Sequence, residues 1–155
     1  MYRFLPFSVF FICLALGCTP KNEQPKEETS KVTFYKSHEL KKASAPFSDV
    51  VQVGNTYYLS GQIGMHHGSR TLVSGGIKAE TTQTLENIKD VLAQYQMEMS
   101  QVVKAMVVLD DINDFAAFNE IYATYFPQKP ARTTFAVEAL ARGAKIEIEV
   151  IAVKN

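Results

Sequence analysis

The feature that most constrains the fold is the period-two alternation of residues 145–153, which is typical of a β-strand with one face on a hydrophobic core. One side carries only apolar residues: Ile146, Ile148, Val150 and Ala152. The other side mixes charge with apolar surface: Glu147, Glu149, Ile151 and Val153. Such a mixed face suits neither bulk solvent nor a closed core, so we expect other subunits to cover it. The alternative is a monomer whose own loops cover the sheet.

The pattern before this strand predicts a hairpin and a loop. Two β-rich runs within residues 50–59 flank the turn dipeptide Gly54-Asn55. Two glycines in residues 60–64 end the second strand, where backbone can approach a ligand or a neighbouring strand closely. Residues 65–76 form a glycine-rich loop.

Two amphipathic helices follow. Apolar residues recur at spacings of four and three over residues 81–95, which is the stripe of a helix with one buried face. Asp111 or Asn113 can cap the second helix, which ends before Pro127 and Pro130.

Further strands are predicted at residues 102–109, 133–137 and 145–153. The order β-β-α-β-α-β-β has crossovers long enough for both helices to lie on one face of a mixed sheet. The predicted fold class is therefore α+β.

The N-terminal residues read as a targeting segment. Residues 1–18 carry Arg3 and then an apolar run that is shorter than the roughly 20 residues of a membrane span. The run ends in Leu14-Ala15-Leu16-Gly17-Cys18, which resembles a bacterial lipoprotein signal in which the cysteine is lipidated and becomes the N-terminus. Ordinary cleavage to a soluble secreted product is the alternative.

The rest of the chain divides into a tether and one domain. Residues 19–31 lack large apolar side chains and read as a disordered tether, whereas residues 32–155 suit a single domain. This organisation predicts an exported protein that is lipid-anchored to a bacterial cell membrane on its periplasmic side.

Charge and cysteine content limit the chemistry of the domain. A formal net charge of +0 predicts no nucleic-acid partner. The only cysteines, Cys13 and Cys18, lie in the targeting segment, so the domain offers no disulfide, thiolate metal site or cysteine nucleophile. Adjacent His66 and His67 would point apart on a strand and have no carboxylate nearby in sequence. We therefore expect a solvated loop there and no metal site.

Arg132 is the strongest candidate for a functional residue. It follows a proline-set turn, and its guanidinium offers a rigid fork of donors that fits a carboxylate. Glu147 in the last strand is a possible acid/base group, so the two residues suggest a pocket for a small carboxylate-bearing molecule. A structural ion pair of Arg132 with Glu147 or Glu149 is the alternative.

Residues 42–153 resemble the Rid family, the reactive-intermediate imine deaminases also called the YjgF family. The resemblance rests on several motifs in the family's order and spacing: Ser60-Gly61-Gln62-Ile63, residues 72–76, residues 111–115 with Asn119, Pro130-Ala131-Arg132, and residues 146–149. It implies a chorismate-mutase-like fold that assembles as a homotrimer around a central β-barrel, with clefts between subunits. It also implies hydrolysis of 2-imino or enamino acids to 2-keto acids and ammonia, without metal or organic cofactor.

The resemblance assigns roles residue by residue. Arg132 matches the family's essential arginine, which would hold the substrate carboxylate, and Glu147 matches its cleft glutamate. The substrate-binding residues that it implies are these: Ser60, Asn119, Thr134 and Phe47. Backbone near Gly64 is a further candidate, for orienting the imine nitrogen. Thr134 stands where cysteine is frequent, and Phe47 where many members have tyrosine. The lost hydroxyl implies altered substrate preference. A non-catalytic module that binds small carboxylates or proteins on the same trimeric fold is the rival function, and the retained Arg132 favours the enzyme.

Overall fold

The structure is a computed structural model that describes residues 30–39, 42 and 44–155. The predicted signal peptide, Cys18 and residues 19–29 of the predicted tether lie outside the described residues.

Over the described residues, six strands form one sheet and two α-helices cover it. The elements in chain order are β1 Val32–Tyr35, β2 Val50–Val53, β3 Thr56–Ile63, α1 Gly76–Gln94, β4 Val102–Leu109, α2 Phe115–Tyr125, β5 Ala131–Ala136 and β6 Ile146–Val153. The strand order is β1-β2-β3-β6-β4-β5, in which only the β4–β5 pair is parallel. The predicted mixed α+β sheet is therefore confirmed, while the trimer and its central barrel stay predictions for a single chain.

Strand β6 lies inside the sheet between β3 and β4. Ile146, Ile148 and Val150 are at most 1% exposed, whereas Glu147 is half-buried and Glu149 is exposed. The alternation predicted for this strand is confirmed, because one side enters the core and the other side does not.

The two helices share the core face of the sheet. Helix α1 packs on β3 and β6, and α2 packs on α1. The buried face of α1 includes Leu85, Ile88 and Leu92, each fully buried with the apolar residues of β6. Neither helix has the length and apolar character needed to cross a membrane, as judged over the described residues.

Two strand assignments differ from the sequence analysis. Strand β1 was not predicted, because its apolar side chains are largely exposed at the sheet edge, with Val32 at 48% and Phe34 at 68%. Strand β5 begins at Ala131, two residues before its predicted start. Arg132 therefore lies within a strand and not in the turn that precedes it.

Gly64 allows helix α1 to pack directly on the backbone that follows β3. A Cβ at this position would lie 2.6 Å from the Cα of Glu80, which is closer than side-chain carbons come to backbone atoms. The Glu80 carboxylate in turn accepts a hydrogen bond from the backbone N–H of Lys145 (2.8 Å), which immediately precedes β6. The close packing of α1 on this backbone is therefore sufficient to explain the glycine at position 64.

We predict that Gly64→Ala lowers the free energy of unfolding by about 1–3 kcal/mol, because the added methyl forces α1 away from the sheet. Urea denaturation followed by circular dichroism measures the change. Gly68→Ala is the matched control, since a methyl there meets no heavy atom within 4 Å. Equal stability of the Gly64→Ala and Gly68→Ala variants would contradict the close packing.

Candidate active site

Arg132 is held on the helix side of the sheet. It pairs in register with Ala105 of β4, which is fully buried. Its Nη1 donates a hydrogen bond to Oδ1 of Asn119 (2.7 Å), and its guanidinium carbon lies 4.7 Å from the ring centre of Tyr122 and 5.1 Å from that of Phe118. Contact with aromatic faces stabilises a cation while using few of its N–H donors.

No ion pair of Arg132 is found among the described residues. The alternative of a structural pair with Glu147 or Glu149 is therefore wrong for the single chain. The fork of donors remains available to an external carboxylate, as its geometry suggests.

A cavity of about 540 Å³ lies beside Arg132, and its lining includes Asn119, Tyr122 and Phe126. Burial raises the pKa of the Tyr122 hydroxyl, and the charge of Arg132 opposes that rise. We call this space the Arg132 cavity.

Glu147 lies in a different cavity. Period-two alternation along β6 directs it away from the helices, and it pairs in register with Val108. The cavity measures about 230 Å³, and its lining includes Phe47, Gly61 and Asn87. A Cβ at position 61 would lie 2.8 Å from the carboxyl carbon of Glu147, so the glycine there leaves room for the Glu147 side chain in its present position. We call this space the Glu147 cavity.

Two features of the environment of Glu147 act on its carboxyl group. Burial raises the pKa of the carboxyl group, and the negative charge of Glu149 raises it further. No hydrogen bond or ion pair of the Glu147 side chain occurs within the described ranges. A carboxyl group with a raised pKa and no fixed partner is suited to proton transfer.

The structure therefore does not bring Arg132 and Glu147 into one pocket of one protomer. Asn119 lies with Arg132, and Phe47, which is 55% exposed, lies with Glu147. Thr134 follows Arg132 by two residues on the same side of β5, and its buried hydroxyl has no partner among the residues described.

Ser60 and Gly64 line neither cavity. The Ser60 hydroxyl donates to the backbone oxygen of Ser48 (2.7 Å), and the Ser60 N–H donates to that of Asp49 (2.9 Å). Both contacts hold the segment that carries Phe47 against β3. In the single chain, Ser60 thus positions the wall of the Glu147 cavity.

Sequence reasoning missed a basic wall in the Glu147 cavity. Four basic or ring-nitrogen side chains line it: Lys42, His67, Arg70 and Arg142. The expectation of a solvated His67 is wrong, because its side chain is only 22% exposed and its Nδ1 contacts Glu39. The two residues are 28 positions apart, so local spacing gave no signal for this pair.

Glu39 is the buried centre of that wall. Its carboxylate lies 3.0 Å from Nζ of Lys42 and 3.3 Å from Nη1 of Arg70, in addition to its bond with His67. Burial raises the pKa of Glu39, but the hydrogen bonds from His67 and Lys42 outweigh it and hold the pKa below its ordinary value. In the described ranges, no group of three or more His, Cys, Asp or Glu side chains is placed to hold a metal ion.

Comparison with known proteins identifies the family. The family profile described as Endoribonuclease L-PSP matches residues 37–154. A Mus musculus protein named 2-iminobutanoate/2-iminopropanoate deaminase is 46% identical over 114 residues, covering 73% of this chain and 84% of that protein.

Solved structures agree with this assignment. YyfA from Yersinia pestis, described as a member of the conserved Rid protein family, has 35% identity and a TM-score of 0.74, covering 80% of this chain and 100% of its own. TdcF from E. coli with bound serine has 27% identity and a TM-score of 0.72, covering 79% and 99%. The chain therefore belongs to the Rid/YjgF family, whose profile is described as Endoribonuclease L-PSP.

Proposed function

We propose that this chain hydrolyses reactive 2-imino and enamino acids to 2-keto acids and ammonia. The observation that carries the proposal is the guanidinium of Arg132, which is ordered by Asn119 and aromatic rings but has no carboxylate partner among the described residues. The mouse relative's name supports this reaction class. TdcF with bound serine supports a small ligand with a carboxylate.

We propose further that the complete site forms between two protomers of a homotrimer. Arg132 and Glu147 open to separate cavities, so one chain does not present both groups to one small molecule. On or beside the face of the sheet opposite the helices, large apolar side chains remain 41–47% exposed: Tyr58, Val103 and Phe135. Burying them against a neighbouring protomer would bring the Arg132 cavity of one chain against the Glu147 cavity of the next.

In this mechanism Arg132 binds the substrate carboxylate through two parallel N–H···O bonds and fixes the position of the imine carbon. Asn119 keeps the guanidinium in place. Glu147 positions a water molecule and takes one of its protons as the water oxygen bonds to the carbon of the protonated imine and the electron pair of the C=N bond moves to nitrogen. Glu147 then returns that proton to the amine, and ammonia leaves as the hydroxyl oxygen forms the carbonyl and its proton passes to the departing ammonia. An imine is already electrophilic, so positioning and proton transfer are sufficient.

The other site residues have supporting roles in this proposal. Backbone beside Thr134 orients the imine nitrogen in this proposal, and Ser60 holds the segment that carries Phe47. The exposed phenyl ring of Phe47 supplies an apolar wall without a hydroxyl, which favours substrates with small apolar side chains.

A non-catalytic module that binds small carboxylates or proteins is the second candidate. The phenyl ring of Phe47 favours it, because this ring cannot donate or accept a proton. RNA is a weaker candidate ligand despite the family description, because a formal net charge of +0 provides no basic footprint.

We also propose that the chain is exported and anchored through a lipid on Cys18, with residues 19–31 as the tether on the periplasmic side of a bacterial membrane. The support is the N-terminal sequence pattern alone. An enzyme in this location requires an imine source outside the cytoplasm, such as an amino-acid oxidase or dehydrogenase.

We predict that Arg132→Lys lowers kcat/KM for 2-iminopropanoate about 10²-fold, because lysine keeps the charge but loses the paired donors. The imine is generated from alanine by an amino-acid oxidase in the presence of semicarbazide, which competes for it, and 2-keto acid release is followed. Lys89→Arg is the matched control, since it exchanges the same pair of side chains at an exposed helix position. A native rate for Arg132→Lys would refute the proposed two-donor binding of the substrate carboxylate by Arg132. No acceleration by the unmodified chain would favour the binding module.

We predict that Arg132→Ala and Glu147→Ala chains, each inactive alone, regain activity when they are co-expressed. In randomly mixed trimers, about a quarter of composite sites combine an intact Arg132 with an intact Glu147 from the neighbouring chain. The same oxidase-coupled assay measures the recovery, and size-exclusion chromatography with light scattering gives the oligomeric state. If the mixture stays inactive while trimers form, each site belongs to one chain.

We predict that Cys18→Ser moves the chain, expressed in a bacterial host, from the membrane fraction to the soluble fraction, because serine has no thiol to accept lipid. Mass spectrometry of the N-terminal peptide checks whether Cys18 carries the lipid. Cys13→Ser is the control and is expected to leave the chain in the membrane fraction. An unmodified Cys18 in the native chain would exclude the anchor.

A further inference from the structure

A second arginine, Arg142, lines the Glu147 cavity together with Lys42 and Arg70. The buried carboxylate of Glu39 pairs with both Lys42 and Arg70. Over residues 30–39, 42 and 44–155, the guanidinium of Arg142 makes no ion pair and no hydrogen bond. The positive charge of Arg142 is therefore not neutralised by these residues, in contrast to the other two cations of the cavity.

Glu147 does not neutralise Arg142 either. The two side chains line the same cavity but form no ion pair. Burial and the charge of Glu149 raise the pKa of Glu147, whereas a close cation would lower it. The guanidinium of Arg142 is thus available to an anion from outside the chain.

The backbone of Arg142 lies in a conformation that side chains disfavour. It belongs to the turn Ala141–Gly143, where its φ of +60° is in the left-handed region. Glycine adopts this conformation at no steric cost, so the turn itself does not require an arginine. Arg142 is exposed and also lines the cavity, which places it at the rim. A strained residue at the rim of a cavity suggests a functional role for its side chain.

The same cavity offers apolar surface for a carbon chain. Phe47, Ile63 and Met65 belong to its lining. The imine carbon has to reach Glu147 in the proposed mechanism, and Arg142 belongs to the same cavity of the same chain. The position of Arg142 relative to the reacting carbon therefore does not depend on which protomer supplies Arg132.

We propose that Arg142 is a specificity-determining residue that binds a second, distal carboxylate of the substrate. The site then accepts the 2-imino acids of dicarboxylic amino acids in addition to those with small apolar side chains. This inference rests on the proposed imine hydrolysis and adds a substrate class to it. Arg132 holds the carboxylate beside the imine carbon, the apolar lining contacts the methylene groups, and the fork of donors on Arg142 binds the distal carboxylate.

The test compares 2-iminoglutarate with 2-iminopentanoate, which have the same number of carbon atoms and differ in the distal carboxylate. Amino-acid oxidases generate the two imines from glutamate and norvaline in the semicarbazide assay. We expect Arg142→Gln to lower the ratio of kcat/KM for 2-iminoglutarate to that for 2-iminopentanoate about 10-fold, mainly through KM, because one charge-assisted contact is lost. Arg142→Lys keeps the charge and is expected to restore part of the ratio.

Lys89→Gln is the matched control. It also removes one positive charge, at an exposed helix position that lines neither the Arg132 cavity nor the Glu147 cavity. We expect it to leave the ratio at the native value.

Two further measurements separate substrate binding from a structural role. Because Arg142 is exposed, added salt screens its charge, so the ratio is expected to fall with ionic strength in the native chain and much less in Arg142→Gln. Arg142→Gly suits the left-handed backbone, so it is expected to keep the native Tm while the ratio falls as in Arg142→Gln.

An unchanged ratio in Arg142→Gln, or an equal loss of rate on both substrates, would overturn the role of Arg142. Dissociation of the oligomer in light scattering would assign Arg142 to a contact between protomers and would overturn it as well. A native chain that hydrolyses 2-iminopropanoate but not 2-iminoglutarate would exclude the added substrate class and leave the proposed hydrolysis in place. Inactivity on every imine would refute both.

Discussion

The constraint on which the structure depends is the two-residue period of β6, an interior strand of the sheet. Its apolar side, with Ile146, Ile148 and Val150, closes the core beneath the helices. The same period forces Glu147 onto the opposite face, where it is half-buried and where Glu149 lies nearby on the strand. A shift of one residue in register would exchange the two sides, so core packing and the position of the carboxyl group are fixed together.

Arg132 depends on a different set of contacts. Asn119 and the rings of α2 hold the guanidinium, and none of these partners is anionic. A cation kept ordered without neutralisation remains available to an external acid, in contrast to Lys145 or Lys78, which pair with Asp110 and Glu120. The separation of Arg132 from Glu147 is why the proposed catalyst is an assembly and not a single chain.

Loops complete the Glu147 cavity. The buried carboxylate of Glu39 pairs with Lys42, His67 and Arg70. These contacts join the segment before β2 to the loop between β3 and α1. Ser60 makes a second tie to the same segment through Ser48. These contacts give the cavity a basic wall. The side chains of this wall come from loops and not from the packed core of strands and helices.

Periodicity in the sequence alone determined the α+β class, both helices and the two faces of β6, because these follow from neighbours along the chain. Arg132 and Glu147 became candidates through the chemistry of their side chains and the motifs around them. It failed for β1, whose exposed edge position leaves no buried pattern in Val32 or Phe34. Only the tertiary structure decided that Arg132 and Glu147 open to separate cavities and that His67 meets Glu39, 28 residues away. Such contacts depend on strand order and loop packing, which bring together residues that no local spacing relates.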